Sequence, residues 1–434
     1  MRLYIDPGTG SMLFTIVVGL LGTAIFAFRK LFMKLRFYFS GGKQKKSDEE
    51  RLPLAIFSDS KRYWNVFESI CDELDRRGID AVYMTASEDD PALNASYEHI
   101  RSEFIGSNNK GFAKLNMLKA NVLLSTTPGL DVYQWKRSRD VKWYVHIPHA
   151  SSDIVLYRMF GIDYYDAVLL SGEYQKEQIR ELETLRNLPE KELRIVGLTY
   201  MDAMKARLDH AEPLKEHPTT VLLAPSWGQS AILSRYGARI IEALLKTGYH
   251  VIVRPHPQSF TSEKEMIDAL MRQFPDSEQL EWNRDNDNFE VLRRSDIMIS
   301  DFSGVIFDFA LVFDKPIIYA DTSFDKSPYD ACWLEKELWT FSTLPKIGEQ
   351  LSEEKLDDIK DLIDRCLSEP ERKEARDAAR EQTWQFPGEG AKRTVDYLEE
   401  KLNEIRAREA EANAPQEREP KQRKKDKKKK QEQE

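Results

Sequence analysis

Short runs of apolar and β-branched residues alternate along this chain with longer stretches whose apolar positions recur every three or four residues. The runs at 54–57, 81–84, 122–125, 143–147, 167–171 and 194–197 read as strands, with amphipathic helices such as 63–77 and 173–186 between them. Alternation at this spacing predicts βαβ units and a mostly parallel sheet. The pattern then restarts, with strands at 221–224, 250–254, 280–282, 297–300 and 316–320 separated by helices near 231–246, 262–274 and 303–313. Ser262 followed by Glu265 fits a capping box opening the second of these helices. A polar segment with two prolines, DHAEPLKEHP at 209–218, divides the two series, so two consecutive α/β units are expected.

The ends follow different rules. Residues 10–28 (GSMLFTIVVGLLGTAIFAF) contain no charge, and these 19 positions, at 1.5 Å each, come just short of a roughly 30 Å hydrocarbon core. Arg29, Lys30, Lys34 and Arg36 follow the apolar run, whereas a cleaved signal would carry its positive charge ahead of it. The order predicts one uncleaved membrane span, with everything after residue 28 on the cytoplasmic side of a cell membrane. Residues 31–39 (LFMKLRFYF) have the basic and aromatic character of an interfacial segment. The expected organisation is an anchor with its basic flank at 1–46, an N-terminal lobe at 47–210, a C-terminal lobe at 211–400 and a charged, disordered tail at 401–434.

Composition narrows the class. A chain of 434 residues has room for two or three domains, and three scattered cysteines, Cys71, Cys332 and Cys366, form neither a disulfide framework nor a zinc pattern. That usage suits a reducing compartment. The net charge of -9 argues against a nucleic-acid-coating protein, yet it is unevenly spread: residues 1–46 carry eight Lys or Arg against Asp6 alone, and the tail contains KQRKKDKKKK at 421–430. This tail run reads either as a solvated segment or as one drawn to anionic membrane lipid.

Four stretches could carry chemistry. In VIVRPHP (251–257) an apolar strand ends in Arg254 and His256, placed near the crevice that forms at the carboxyl ends of parallel strands. One is a permanent cation and the other a proton donor or acceptor, and the flanking prolines restrict the loop between them. In IMISDFSGVIFD (297–308) a strand runs through a turn into a helix; Ser303 is a natural N-cap, Gly304 lets a ligand approach the backbone, and free N–H groups there suit phosphate. Asp308 is either a ligand contact or surface charge. In WYVHIPHASSD (143–153), His146 nearer the strand is expected to be buried and His149 to serve as a general base. No neighbouring Cys or Glu completes a metal set around that pair, and no cofactor is required. The fourth stretch, LLAPSWGQ (222–229), places Ser226 in a turn that either covers a nucleotide or only joins strand to helix.

Taken in order, His149 with a small residue after it, Pro225-Ser226-Trp227, Arg254-Pro255-His256-Pro257, Ser300-Asp301-Phe302-Ser303 with Phe307-Asp308, Lys315 to Tyr319, and Gly388 to Arg393 resemble the CDP-glycerol glycerophosphotransferase family over roughly residues 140–400. The resemblance implies a GT-B architecture: two Rossmann-like lobes with a crevice between them, the C-terminal lobe binding the nucleotide and the N-terminal lobe presenting the acceptor. It implies that His149 is the base, that His256 lies near the donor pyrophosphate and that Ser303 contacts donor phosphate. The chain departs from the family pattern at Ala150, where glycine is usual, and at Gly304, where a second serine is usual. The implied activity is transfer of glycerol phosphate, or a related polyol phosphate, from a CDP-activated donor to a lipid-linked or membrane-associated glycan in teichoic acid biosynthesis. A nucleotide-sugar glycosyltransferase and a catalytically silent membrane scaffold are the alternatives.

Overall fold

The computed structural model describes residues 51–107, 109–321, 323–368 and 372–413. The apolar stretch 10–28, its basic flank and the basic run 421–430 lie outside these residues; among the described residues no helix is long and apolar enough to cross a membrane.

Among the described residues, thirteen strands form two wholly parallel sheets. The first contains β1 (Leu52–Ser58), β2 (Ala81–Thr85), β3 (Ile100–Phe104), β4 (Ala120–Ser125), β5 (Val141–His146), β6 (Ala167–Leu170) and β7 (Glu192–Ile195), in the order β3-β2-β1-β4-β5-β6-β7. The second contains β8 (Thr220–Leu223), β9 (His250–Val253), β10 (Leu280–Trp282), β11 (Ile297–Ser300), β12 (Ile317–Ala320) and β13 (Gly348–Leu351), in the order β10-β9-β8-β11-β12-β13. Each sheet therefore reverses direction once, between β1 and β4 and between β8 and β11, and these switch points are where doubly wound sheets bind ligands.

Central strands explain themselves. β4, β6, β8 and β11 are buried at every position, as strands covered on both faces must be, and so read as unbroken apolar runs. The two strands that the apolar pattern did not reveal are edge strands. β3 (IRSEF) buries only Ile100, and β13 (GEQL) buries Gly348 and Leu351 around two polar residues, so backbone pairing rather than side-chain burial defines them.

Helices cover the sheets by their apolar stripes. In the Trp64–Arg76 helix, Trp64, Phe67, Ile70, Cys71 and Leu74 share one buried face, and each large apolar side chain among them contributes about 1.5–3 kcal/mol. The helix expected over 231–246 is divided at Gly237, whose φ of 56° ends Ile232–Tyr236 before Ala238–Lys246 begins. The expected capping box fails: Ser262 closes a short turn (Ser259–Ser262), its hydroxyl accepts from the Gln258 amide, and the next helix starts at Lys264 with Glu263 as its cap residue.

The C-terminus also departs from expectation. Beyond the Lys373–Thr383 helix, the chain returns to the N-terminal sheet, and the Gly390–Asn413 helix buries Val395, Leu398, Leu402 and Ile405 in the same apolar cluster as the Trp64–Arg76 helix. Residues 401–413, the start of the charged tail, are thus helical, and Lys401, Leu402 and Ile405 among them are buried. The Asp202 carboxylate pins this return, accepting from Trp384 Nε1 at 2.8 Å, the Gly388 N–H at 2.7 Å and the Gly390 N–H at 2.9 Å. Gly390 must be glycine here, because a Cβ would fall 2.7 Å from Asp202 Oδ2. Replacing Asp202 by Ala strands three donors and is expected to cost about 2–4 kcal/mol in urea unfolding; an unchanged midpoint would show that the return is held by apolar packing alone.

Candidate active site

Every element of the cleft hangs from the carboxyl end of a strand. Ser125 Oγ, ending β4, donates to the Phe57 carbonyl of β1 at 2.9 Å; Ser300 Oγ, ending β11, donates to the Ala224 carbonyl beyond β8 at 2.6 Å. The same bond thus closes both switch points. In the C-terminal lobe the next residue, Asp301, accepts from the backbone N–H groups of Ser226 (2.9 Å), Ile232 (3.0 Å) and Ser303 (3.2 Å). Burial pushes its carboxyl up to about 6 despite those three donors.

The loops enclose two adjoining chambers. The first, of about 520 Å³, is lined by Arg62, His149, Arg207, Arg254, His256, Ser303, Gly304 and Asp308 among others. The second, of about 460 Å³, is lined by Asp59, Arg158, Ser226 and Trp227 and shares Tyr63, His149, His256, Ser303 and Gly304 with the first. All seven residues singled out in the sequence (His149, Ser226, Arg254, His256, Ser303, Gly304 and Asp308) therefore line one or both chambers.

His149 follows β5 and lies against Tyr63, their ring centroids 4.5 Å apart. Its Nδ1 lies 2.9 Å from Thr126 Oγ1 and 3.5 Å from the Tyr157 hydroxyl. Burial holds the imidazole down to about 4, so it is neutral at pH 7. His146 is buried as expected, with Nε2 3.2 Å from the Tyr157 hydroxyl.

The tautomer of His256 is set by its own loop. Its Nδ1 accepts the Gln258 N–H at 3.1 Å, so the hydrogen sits on Nε2. Burial, then the charges of Arg62 and Arg254, lower it to about 4. Two guanidiniums, one from each lobe, thus bear on this imidazole. Arg254 donates to the Asn283 side chain and, at 2.8 Å, to the Asp285 carbonyl, while Arg62 has no carboxylate partner among the described residues. The nearby Arg207 is already paired with Asp287 at 2.6 Å.

Ser303 does not cap the helix. The cap residue is Gly304, without a side-chain bond, and the helix runs Val305–Val312. The turn is shaped by Asp301 instead, which leaves the Ser303 hydroxyl on the cleft wall beside the helix N-terminus. Gly304 meets the other lobe directly: a Cβ built there would lie 3.3 Å from the Ala150 methyl. The two departures from the family pattern therefore face each other across the cleft. Asp308 is buried at the edge of the first chamber rather than being surface charge; it accepts from Tyr200 Oη at 2.9 Å, and Tyr200 Oη in turn accepts from the Ser151 N–H at 2.9 Å. Burial raises Asp308 to about 7.

Sequence reasoning missed Asp59, Arg62 and Tyr63, though they follow β1 at its carboxyl end and the rule that flagged Arg254 applies to them equally. It quoted Asp301 without giving it a role. Thr126 and Tyr200 carry no local signal, because their parts depend on tertiary contacts. Among the described residues no three His, Cys, Asp or Glu side chains gather to hold a metal ion.

Residues 193–396 match the family model of CDP-glycerol:poly(glycerophosphate) glycerophosphotransferase. A segment of 101 residues is 35% identical to the minor teichoic acid biosynthesis protein GgaB of Bacillus subtilis (strain 168), covering 22% of this chain and only 10% of GgaB. Among solved structures, the wall teichoic acid polymerase TagF superposes with a TM-score of 0.54 at 14% identity, over 88% of this chain and 98% of that one. The UDP-GlcNAc 2-epimerase of Methanocaldococcus jannaschii gives 0.55 at 14% identity, over 80% and 100%. At these identities the likeness is one of fold: two parallel α/β sheets in a GT-B-like arrangement. The matched segment begins within β7 and holds the whole second sheet, with Ser226, Arg254, His256, Ser303, Gly304 and Asp308; His149 lies before it.

Two outcomes test the geometry. Gly304→Ala is expected to cost about 1 kcal/mol, and about half of that or more should be recovered when Ala150→Gly is added; strict additivity in denaturant melts would show that the two positions do not touch. Because the Asp308 pKa is raised by folding, its protonated form stabilises the native state below the ordinary carboxyl range, and that contribution is lost as pH rises through about 7. Asp308→Asn should therefore gain Tm relative to the native protein as pH is raised from 4 to 8. A difference that is flat with pH would place an ionised carboxylate there throughout.

Proposed function

We propose that this protein is a membrane-anchored transferase that moves glycerol phosphate, or a related polyol phosphate, from a CDP-linked donor to a hydroxyl of a lipid-linked or cell-envelope glycan. The observation carrying this reading is the convergence of two imidazoles, two guanidiniums and a helix N-terminus on one inter-lobe cleft. The glycerophosphotransferase match over residues 193–396 and the similarity to GgaB, a minor teichoic acid biosynthesis protein, support the donor and the polymer class.

In the proposed reaction the donor diphosphate lies in the first chamber. Arg62 and Arg254 neutralise its charge, while His256 Nε2–H and the N–H groups opening the Val305–Val312 helix donate to its oxygens. The acceptor oxygen attacks the polyol-side phosphorus as its proton passes to His149 Nε2. The bond from that phosphorus to the bridging oxygen breaks, and CMP leaves with the bridging oxygen and its electron pair. No covalent enzyme intermediate is required, and positioning plus electrostatics supplies most of the acceleration. The span at 10–28, with the basic residues that follow it, would hold the cleft at the inner face of the cell membrane, and the run 421–430 would add attraction to anionic lipid.

The test is turnover of CDP-glycerol by the full-length protein with a lipid-linked glycan acceptor. Release of CMP is expected, and His256→Ala should reduce it by about 100-fold or more without loss of folding. Release of a nucleoside diphosphate from a UDP sugar would make the protein a glycosyltransferase. Tight binding without any turnover would make it a scaffold.

A further inference from the structure

We propose that the second chamber is the acceptor subsite and that it receives a neutral pyranose ring of a glycan rather than a polyanionic polyol-phosphate chain. This rests on the transfer reading above, and it concerns which end of an acceptor the cleft is built to hold.

Aromatic rings dominate this chamber. Tyr63, Tyr133, Trp227, Phe324 and Tyr329 all line it, and each keeps part of its surface open. Phe324 and Tyr329 stack against each other, with centroids 5.1 Å apart and planes 25° from parallel. Tyr133 is 54% exposed, far more than packing requires of a tyrosine. The volume of about 460 Å³ lies within the roughly 300–1,000 Å³ usual for ligand pockets lined by rings and a few polar groups.

Charge separates this chamber from its neighbour. Its lining has one Asp and one Arg: Asp59, open to the cleft, and Arg158, whose guanidinium lies 6.0 Å over the Trp227 ring. A phosphodiester chain brings a negative charge with every unit and needs uncommitted cations. The first chamber offers Arg62 and Arg254, but in the second Asp59 opposes an anion and Arg158 alone favours it. A pyranose presents an apolar C–H face to an aromatic wall and hydroxyl edges that donate to a carboxylate, so it matches both kinds of surface.

His149 lines both chambers. A sugar hydroxyl reaching out of the second chamber therefore meets the base beside a donor phosphate in the first. After transfer, the new terminus is a charged polyol phosphate, which fits the aromatic chamber poorly. The geometry thus favours a single addition to a sugar over repeated extension of the enzyme's own product.

Saturation-transfer NMR on the full-length protein tests this, using methyl glucoside, methyl galactoside and methyl N-acetylglucosaminide against a synthetic tri(glycerol phosphate). At least one pyranoside should receive transfer on its ring C–H protons; its affinity should fall about tenfold in Tyr133→Ala, as for one lost ring face, and persist in Tyr133→Phe. Transfer to the trimer alone, no transfer to any pyranoside, or pyranoside binding unchanged in both Tyr133→Ala and Phe324→Ala would overturn the proposal. A CDP-glycerol titration of the same samples keeps the two readings apart. Loss of donor binding there sinks the transferase reading, whereas donor binding with the trimer in the second chamber sinks only this one.

Discussion

A buried carboxylate with three backbone donors aimed at it governs the shape of the C-terminal half of the cleft. Asp301 closes two loops at once, those after β8 and β11, by taking N–H groups from Ser226, Ile232 and Ser303. It lies just past β11, whose burial on both faces fixes where it can be. Burying a carboxyl is unfavourable, as its elevated pKa records, and the three N–H groups offset that cost. Through this one side chain the register of a strand becomes the position of Trp227, Ser303 and Gly304 on the cleft wall.

The N-terminal lobe repeats part of this design. Ser125 does for β1 and β4 what Ser300 does for β8 and β11, and the residues just beyond each pair face the same space. What the repeat leaves open is the distance between the lobes, and side chains from the connecting helix set it. Tyr200 links the Ser151 amide of the N-terminal lobe to Asp308 of the C-terminal lobe, and two residues later Asp202 pins the returning chain at 384–390. The two walls also approach at Ala150 and Gly304, where an added Cβ on Gly304 would lie 3.3 Å from the Ala150 methyl.

The central strands were legible because parallel strands covered on both faces must be apolar throughout, and that demand is written in the residues themselves. β3 and β13 were not, since an edge strand is specified by pairing with its neighbour and its sequence can be polar. Arg254, His256, Ser303 and His149 were found from their place at strand ends. Arg62 and Tyr63 sit at an equally informative place, but a Lys-Arg-Tyr run at the start of a helix reads as ordinary surface until the other lobe is set opposite. Ser303 illustrates the remaining error. Its residue type suits a cap, yet the stronger acceptor two residues earlier takes over the turn, and the serine hydroxyl is left for the cleft.

Both cleft histidines are pressed towards the neutral form, and the surroundings of each set what it can do. His149 has its Nδ1 beside the Thr126 hydroxyl, whereas His256 takes a backbone hydrogen at Nδ1 and so offers an N–H. Neither arrangement is evident from an isolated histidine, because each is set by a neighbour brought in by the fold. Burial does most to hold His256 neutral, and the positive charge that adds to it comes from Arg62 and Arg254, the groups that an incoming diphosphate would neutralise. In the proposed transfer, donor binding removes part of the cause of the lowered pKa, so His256 is more readily protonated once an anion is bound. Asp308, raised by burial to about 7, opposes that anion less than an ordinary carboxylate would.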